Sequence, residues 1–251
     1  MPFALDLDGV IWLADVPIPG SAEAVAALRT AGEAVVFVTN NSSQPIAEVE
    51  DKLARHGIPA TGDVITSAMA AAGLVEPGER VLVIGGPGVV EAVEGRGAVA
   101  VFEGDADAVL VGVDRTFTYD RLRVAATAVR RGARLLATND DATYPTPDGP
   151  VPGAGSIVAA VVTAAGVPAE VAGKPHAPMA ALVRARLGDT GVMVGDRADT
   201  DGRLARRLGY RFALVHTGTT GPHEQLDPVP ELSAPDLATL VASLLATEPT
   251  R

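Results

Sequence analysis

The chain of 251 residues contains no cysteine and few aromatic residues. Without cysteine it can have no disulfides, zinc–thiolate sites or thiol nucleophiles. No apolar stretch approaches the ~18 residues that a membrane-spanning helix needs, so we expect no membrane partner. The start of the chain lacks a basic region followed by an apolar run, so we expect no secretory signal and a cytoplasmic protein.

Positive charge is also scarce, since 20 lysine and arginine residues face 31 acidic ones and the formal net charge is −11. Apart from Arg203, Arg206 and Arg207, which fit the solvated face of a helix, the sequence has no basic cluster. This balance argues against a nucleic-acid partner. An acidic protein that binds an anionic substrate must supply positive charge locally, from a metal ion, a lysine or backbone amides.

Apolar runs that alternate with helical stretches predict an α/β fold with a Rossmann-like, doubly wound parallel-sheet core. Ser21 is predicted to cap the first helix. A second α/β pattern, with its own apolar strands, begins after Glu76-Pro77-Gly78, and the final third returns to the first style. We therefore predict a core domain interrupted by an inserted α/β domain, with residues 1–76 and 173–251 in the core and 77–172 in the insertion.

Two carboxylates, Asp6 and Asp8, follow a short apolar strand and precede Gly9. Alternate residues of a strand share a face, so both can project from the carboxyl edge of a sheet, where such folds place ligands. Neighbouring carboxylates repel each other unless a divalent cation neutralises them or their roles differ. The pattern therefore indicates a metal site or acid–base chemistry, although it also fits a strand followed by an Asx-rich turn.

Further polar segments occur at predicted strand ends or helix starts, namely Thr39-Asn40-Asn41, Gly173-Lys174-Pro175 and the acidic run from Asp196 to Asp201. The chain has two lysines, Lys52 and Lys174, and three asparagines, of which Asn40 and Asn41 are two. Rare residue types are thus used at the candidate sites, which favours function over helix capping or surface positions. If the core strands are parallel, these segments meet at one sheet edge.

The Asp6/Asp8 pair and these three segments, in chain order, resemble motifs I to IV of the haloacid dehalogenase (HAD) superfamily. Three more segments resemble its NagD-like subfamily (subfamily IIA), namely Thr66-Ser67, Gly112-Val-Asp114-Arg115 and Pro152-Gly-Ala-Gly-Ser156. The resemblance spans almost the whole chain and implies the HAD fold, with a large α/β cap inserted where the second domain is predicted. His176 departs from the small polar residue that is usual there and receives no role, and the stretch from His223 to Pro235 resembles the family only loosely.

The resemblance implies a Mg²⁺-dependent phosphatase that hydrolyses small phosphate monoesters through an aspartyl-phosphate. Asp6 would be the nucleophile, and Asp8 the general acid and then the base. The phosphoryl group would be held by Thr39, Asn40, Asn41 and Lys174.

The implied metal ligands are Asp6, the Asp8 carbonyl and Asp196, with Asp201 as a further ligand or as a residue that orients a metal-bound water. An all-oxygen site of this kind suits Mg²⁺ better than zinc or copper.

The substrate would be a small phosphorylated metabolite, such as a sugar phosphate, glycerol phosphate, phosphoglycolate, a nucleoside monophosphate or pyridoxal phosphate. The segment from Asn139 to Asp148 resembles the specificity loop of the family, and Tyr144 would contact the leaving group there; an ordinary Pro/Asp-rich turn is the alternative. A homodimer through the cap is a further expectation.

Two other functions remain open, a phosphotransferase on the same scaffold and a catalytically silent metabolite-binding protein. Dehalogenase activity is disfavoured, because a halide needs no proton from Asp8 on leaving. Gly166 to Lys174 lacks the spacing of a P-loop, and Gly85-Gly-Pro-Gly88 lacks the dinucleotide-binding spacing and fits a turn better. The four histidines show no ligand spacing.

Overall fold

The computed structural model describes residues 1–146, 149–221 and 225–247. Asp148 of the predicted specificity loop and His223 lie outside these ranges. The chain divides into two compact units, the first comprising Met1–Thr39, Val49–Ile65 and Ala180–Arg251 and the second Asn40–Glu48 and Thr66–Met179. The division into residues 1–76, 77–172 and 173–251 remains a prediction. Within the described ranges, no helix has both the length and the apolar character needed to cross a membrane.

Strands and helices alternate along the chain. The strands are β1 (Phe3–Leu5), β2 (Trp12–Leu13), β3 (Val16–Pro17), β4 (Val35–Thr39), β5 (Val64–Thr66), β6 (Arg80–Ile84), β7 (Val99–Val101), β8 (Ala108–Val111), β9 (Arg134–Ala137), β10 (Thr143–Thr146), β11 (Gly149–Pro152), β12 (Glu170–Val171), β13 (Val192–Gly195), β14 (Arg211–Val215) and β15 (Leu232–Ala234). The helices are α1 (Ser21–Thr30), α2 (Ile46–Arg55), α3 (Ser67–Ala72), α4 (Pro87–Gly95), α5 (Tyr119–Arg130), α6 (Ala154–Ala165), α7 (Ala177–Leu187), α8 (Arg203–Leu208) and α9 (Leu237–Thr247), and a π-helical turn (Ala198–Gly202) precedes α8.

The sheet of the first unit has the strand order β15-β14-β13-β1-β4-β5. β1 pairs in parallel with both β13 and β4, and β14 pairs in parallel with β13 and β15. The order reverses beside β1, because the chain fills one side with β4 and β5 and later the other side with β13 to β15. Doubly wound sheets bind ligands outside the carboxyl ends of the strands at such a reversal. The ends of β1 and β13 are therefore where a site is expected.

Helices cover this sheet because its central strands are apolar throughout. All residues of β1, β4 and β13 are buried, as expected of parallel strands covered on both faces. The core joins Phe37 of β4 to Leu28 of α1 and Leu237 of α9.

The prediction that Ser21 caps α1 is wrong. Gly20, in the left-handed region with φ 81°, is the N-cap, and no side chain caps the helix. The Ser21 hydroxyl donates to the Val10 carbonyl at 2.9 Å instead. This contact joins the helix start to the loop after β1, which no local helix-start signal can reveal.

The second unit contains a parallel sheet with the order β12-β9-β8-β6-β7. Its apolar core forms between the strands and helices α5 and α6 and includes Val109, Leu135 and Val161. β10 and β11 form a separate antiparallel hairpin in which Tyr144 pairs with Val151. The predicted α/β architecture is confirmed.

The glycines between β6 and α4 accommodate a neighbouring segment of the same unit. A Cβ atom on Gly86 would lie 2.4 Å from the Ser43 carbonyl oxygen, and one on Gly88 would lie 2.1 Å from the Gln44 carbonyl oxygen. These residues are therefore glycine because backbone passes directly over them. The close approach explains a glycine-rich stretch that lacks the dinucleotide-binding spacing.

Candidate active site

Asp6 directly follows β1, at the point where the strand order reverses. Its N–H donates to the Val194 carbonyl of β13 at 2.9 Å, which continues the parallel ladder past the end of the strand. The carboxylate is buried, and its Oδ1 accepts the Leu7 N–H at 2.7 Å. The hydrogen bonds with the Val194 carbonyl and the Leu7 N–H thus fix the position of this carboxylate.

Asp8 lies in the tight loop that follows and is half-buried. Its Oδ1 accepts a hydrogen bond from the indole Nε1 of Trp12 at 3.0 Å. Gly9 has φ 80°, and a Cβ atom there would lie 2.6 Å from Cγ of Asp196. A side chain at Gly9 would therefore be strained and would displace Asp196, so this glycine keeps the loop beside the carboxylate that follows β13.

Asp196 is buried and held by the loop after β14. Its Oδ2 accepts the backbone N–H of Thr219 at 2.7 Å and the Thr219 hydroxyl at 3.1 Å. The Thr220 hydroxyl donates to the Asp196 backbone carbonyl, and a Cβ atom on Gly218 would lie 2.0 Å from Oδ2. This loop was not among the segments predicted from the sequence. The sequence feature that could have identified it is the Thr-Gly-Thr-Thr run directly after a core strand, at the same sheet edge as the other candidates.

The acidic run after β13 separates into two environments. Asp201 is fully buried, its Oδ2 accepts the Arg197 N–H at 3.2 Å, and a Cβ atom on Gly195 would lie 2.2 Å from its Cγ. Asp199 instead pairs with the Arg197 guanidinium at 2.8 Å. Burial alone would raise the pKa of Asp199, but the hydrogen bond and charge of Arg197 outweigh it and lower the pKa. The turn therefore sends Asp201 inward and Asp199 to the surface.

Asp6, Asp196 and Asp201 form a buried group of carboxylates. Each offers an oxygen atom, and these atoms all lie within 4.8 Å of one another. Three buried negative charges this close require a strong positive charge, and oxygen ligands are those that Mg²⁺ prefers. The donor set therefore fits the expected metal. The Asp8 side chain is not in this group, and its predicted contribution through the backbone carbonyl stays a prediction.

Thr39, the last residue of β4, is buried at the same carboxyl edge as Asp6. Leu5 pairs with Phe37 in the parallel register, so Thr39 lies just beyond the end of β1. The structure thus brings Thr39 to the sheet edge that carries Asp6 and Asp196.

Asn40 and Lys174, both in the second unit, are joined by hydrogen bonds. Asn40 Oδ1 accepts the Lys174 N–H at 2.7 Å, and its Nδ2 donates to the Lys174 carbonyl at 3.1 Å and to Asp141 Oδ2 at 2.8 Å. The Asn40 carbonyl accepts from Ser67 at 2.7 Å and from Asn139 at 2.8 Å. The side chain of Asn40 therefore holds the backbone of the buried Lys174.

Asn41 and Tyr144 have separate surroundings within the second unit. Asn41 Oδ1 accepts from the N–H of Ser43 at 3.0 Å and from its hydroxyl at 2.7 Å, which shapes the chain after β4. The Tyr144 hydroxyl accepts a long hydrogen bond of 3.5 Å from Arg115.

Three histidines are in the described ranges and have different neighbours. His176 Nε2 lies 3.0 Å from Asp140 Oδ2, and His216 Nε2 lies 2.8 Å from the Ser233 hydroxyl. The His56 ring lies beside that of Trp12, with centroids 5.9 Å apart and the ring planes tilted by 51°. The group of carboxylates described above contains no histidine.

Comparison with known families identifies the chain. A family model described as haloacid dehalogenase-like hydrolase matches residues 3–99, and one described as HAD-hydrolase-like matches residues 171–240. The 5′-nucleotidase YutF of Bacillus subtilis is 36% identical over 233 residues, which cover 90% of each chain. The chain belongs to the HAD-like hydrolases. The resemblance drawn from its motifs is thereby confirmed.

Further relatives place this HAD hydrolase among the NagD-like members. The D-glycerol 3-phosphate phosphatase of Mycobacterium tuberculosis is 40% identical over 85% of this chain, which spans 62% of that protein. Crystal structures of the glycerol phosphate phosphatase from the same organism, in complex with magnesium and with calcium, both have a TM-score of 0.87 at 36% identity and cover 95% of this chain and 75% and 74% of theirs. A putative nagD protein has a TM-score of 0.88 at 34% identity and covers 96% of this chain and 97% of its own. The HAD fold is confirmed.

Proposed function

We propose that this HAD-type phosphoric monoester hydrolase cleaves small phosphate esters through an aspartyl-phosphate formed on Asp6. One observation supports it above the others. Three buried carboxylates gather at the sheet reversal, while Asp8 stands apart from them with an N–H donor of its own. Carboxylates in unlike surroundings suit unlike roles in catalysis.

In the proposed reaction, a carboxylate oxygen of Asp6 attacks phosphorus and the bond from phosphorus to the leaving oxygen breaks. Asp8 donates its proton to that oxygen, and the alcohol departs. Asp8, now ionised, takes a proton from water, whose oxygen attacks the acyl-phosphate. The bond from phosphorus to Asp6 then breaks, which releases inorganic phosphate and restores Asp6.

Asp6, the Asp8 carbonyl and Asp196 are proposed to hold Mg²⁺, with Asp201 as a further ligand or as a residue that orients a bound water. The bound ion supplies positive charge that offsets the anionic site and the phosphoryl oxygens. The narrow oxygen donor set supports this choice of metal.

Thr39, Asn40, Asn41 and Lys174 are proposed to hold the phosphoryl group. Both side-chain hydrogens of Asn40 already have acceptors, so we assign its phosphate contact to the backbone N–H. The same side chain fixes the backbone of Lys174, which suits a lysine that must present its ammonium in one place. Asn41 acts by shaping the turn with Ser43.

Tyr144 is proposed to contact the organic part of the substrate, with Arg115 beside it. Other arginines in the described part of the second unit pair with carboxylates or donate to carbonyls. Arg115 instead donates a long hydrogen bond of 3.5 Å to the Tyr144 hydroxyl. Its charge is therefore available to a polar leaving group, such as that of a sugar phosphate, glycerol phosphate, phosphoglycolate or nucleoside monophosphate.

A phosphate-release screen over these esters tests the proposal, with Asp6→Asn as the control that keeps size and shape. We expect Mg²⁺-dependent release by the wild type and none by Asp6→Asn, because an amide cannot form the acyl-phosphate. Full activity of Asp6→Asn would contradict the mechanism. Release that requires an acceptor alcohol would indicate the phosphotransferase, and ester binding without release would indicate the silent binding protein.

Two further proposals concern the setting of the enzyme. The cysteine-free composition supports a cytoplasmic location, and a homodimer through the cap remains an expectation from the sequence. Sedimentation of the purified chain would test the second.

A further inference from the structure

Trp12, the single tryptophan of the chain, is hydrogen-bonded to Asp8, the proposed general acid. Its indole N–H donates to Oδ1 of Asp8 at 3.0 Å, and the side chain is buried at 4% exposure. An indole nitrogen is a donor only, so this bond has one possible direction. It is strongest when Asp8 carries its negative charge.

The face of the indole ring is covered by Lys52, from α2. The Lys52 ammonium lies 4.2 Å from the centroid of the ring, within the range of a favourable cation–π interaction. The same ammonium donates to the Ala14 carbonyl at 2.7 Å and to Asp15 at 3.0 Å, in the turn between β2 and β3. The Lys52 side chain is 16% exposed, although Asp15 is almost fully exposed.

Lys52 thus makes three contacts that together suit a lysine. A compact ammonium can reach a carbonyl, a carboxylate and a ring face at once, whereas a planar guanidinium is committed to one plane. The chain has eighteen arginines and two lysines. This geometry gives Lys52, the lysine outside the predicted site, a role beside the catalytic loop.

We propose that Trp12 is a positioning residue that holds the Asp8 carboxylate for proton transfer to the leaving oxygen, and that Lys52 holds Trp12 in place. The inference rests on the proposed role of Asp8 as general acid. With Oδ1 fixed by the indole N–H, the plane of the carboxylate and the direction of its second oxygen are fixed as well. Proton transfer depends on such alignment more than on contact alone.

The test compares two esters in Trp12→Phe, which removes the N–H but keeps an aromatic ring. Glycerol phosphate has a poor leaving group that needs a proton, and p-nitrophenyl phosphate has a good one that does not. We expect kcat on glycerol phosphate to fall about 10–100-fold, because the lost hydrogen bond is to an oxygen that becomes charged as Asp8 gives up its proton. The loss on p-nitrophenyl phosphate should be severalfold smaller, and KM should change little for both.

Lys52→Met and Lys52→Arg extend the test and decide it if Trp12→Phe does not fold. Lys52→Met should show the same dependence on the leaving group in weaker form, and Lys52→Arg, which restores a cation, should recover part of the loss. Arg55→Met is the matched control, because it removes one positive charge from an exposed position of the same helix. Its ratio of the two kcat values should equal that of the wild type.

Fluorescence of the single tryptophan gives a second readout without substrate. Acrylamide should quench Trp12 poorly in the wild type and in Arg55→Met, and more strongly in Lys52→Met. Equal losses on both esters in Trp12→Phe, or a wild-type ratio in both Trp12→Phe and Lys52→Met, would overturn the inference. Hydrolysis of p-nitrophenyl phosphate by the wild type, lost in Asp6→Asn, tests the proposed function separately.

Discussion

Replacing Asp201 by asparagine should reveal the charge balance of the carboxylate group. The carboxylate oxygens lie within 4.8 Å of one another, and at that limit two unit charges repel by about 3.5 kcal/mol at an effective dielectric constant of about 20. Asp201→Asn removes two such repulsions, although desolvation and hydrogen bonds to the charged forms offset much of this energy. We expect the metal-free variant to be more stable than the metal-free wild type by about 1–3 kcal/mol.

Magnesium should reverse this advantage. An ion at a hundred times its dissociation constant stabilises the wild type by about 2.7 kcal/mol, and the variant, which has one negative charge fewer, should gain less. A chain of this length shifts its Tm by roughly 2–4 °C per kcal/mol. Thermal unfolding in chelator and in excess Mg²⁺ should therefore give a higher Tm for Asp201→Asn in chelator and a smaller rise with metal.

Asp199→Asn is the matched control. It makes the same chemical change in the same turn, but Asp199 pairs with Arg197 at the surface and lies outside the group. It should lose at most about 1 kcal/mol, because the pair is exposed to solvent, and should keep the wild-type response to Mg²⁺. If Asp201→Asn is destabilised in chelator and gains as much from Mg²⁺ as the wild type, the carboxylates do not act as one metal site.

Three further predictions concern the leaving group, the metal and the alkaline limit. Tyr144→Ala should lower kcat/KM about 10–100-fold for the best physiological ester, the range for a lost pocket contact, but much less for a small generic ester; equal losses in paired kinetics would remove Tyr144 from the site. Activity should vanish in chelator. Ca²⁺ should inhibit in assays at fixed Mg²⁺, because its larger coordination shell accepts bidentate carboxylates and can occupy both oxygens of Asp6. Full activity in chelator, with no metal in the purified protein, would contradict this. The Tyr210 hydroxyl donates to the Gly188 carbonyl at 2.7 Å, and burial raises its pKa. The contribution of the neutral hydroxyl to the free energy of unfolding is therefore complete below pH of about 10 and declines above it. Tyr210→Phe should cost about 0.5–1.5 kcal/mol at neutral pH, and urea unfolding should show the gap to wild type narrowing above pH of about 10; a constant gap would contradict the linkage.

Strand ends were the features that the sequence located best. Apolar runs that stop at polar residues marked the ends of β1, β4 and β13, and the structure aligns these ends at one sheet edge. This succeeds because a buried parallel strand must be apolar throughout, so its last residue is visible in the sequence. The Thr217–Thr220 loop was missed, since threonine and glycine after a strand also describe an ordinary turn.

The sequence by itself determined which residue types stand at the carboxyl ends of the core strands, because hydrophobic burial fixes where each strand stops. Only the tertiary structure decided which acids of the final motif face inward, where Asp201 joins Asp6 and Asp199 pairs with Arg197. It also decided that Lys52, forty residues along the chain from Trp12, covers the indole that binds Asp8. The direction of a side chain in a loop depends on how distant backbone segments pack around it, and residue spacing carries no record of that packing.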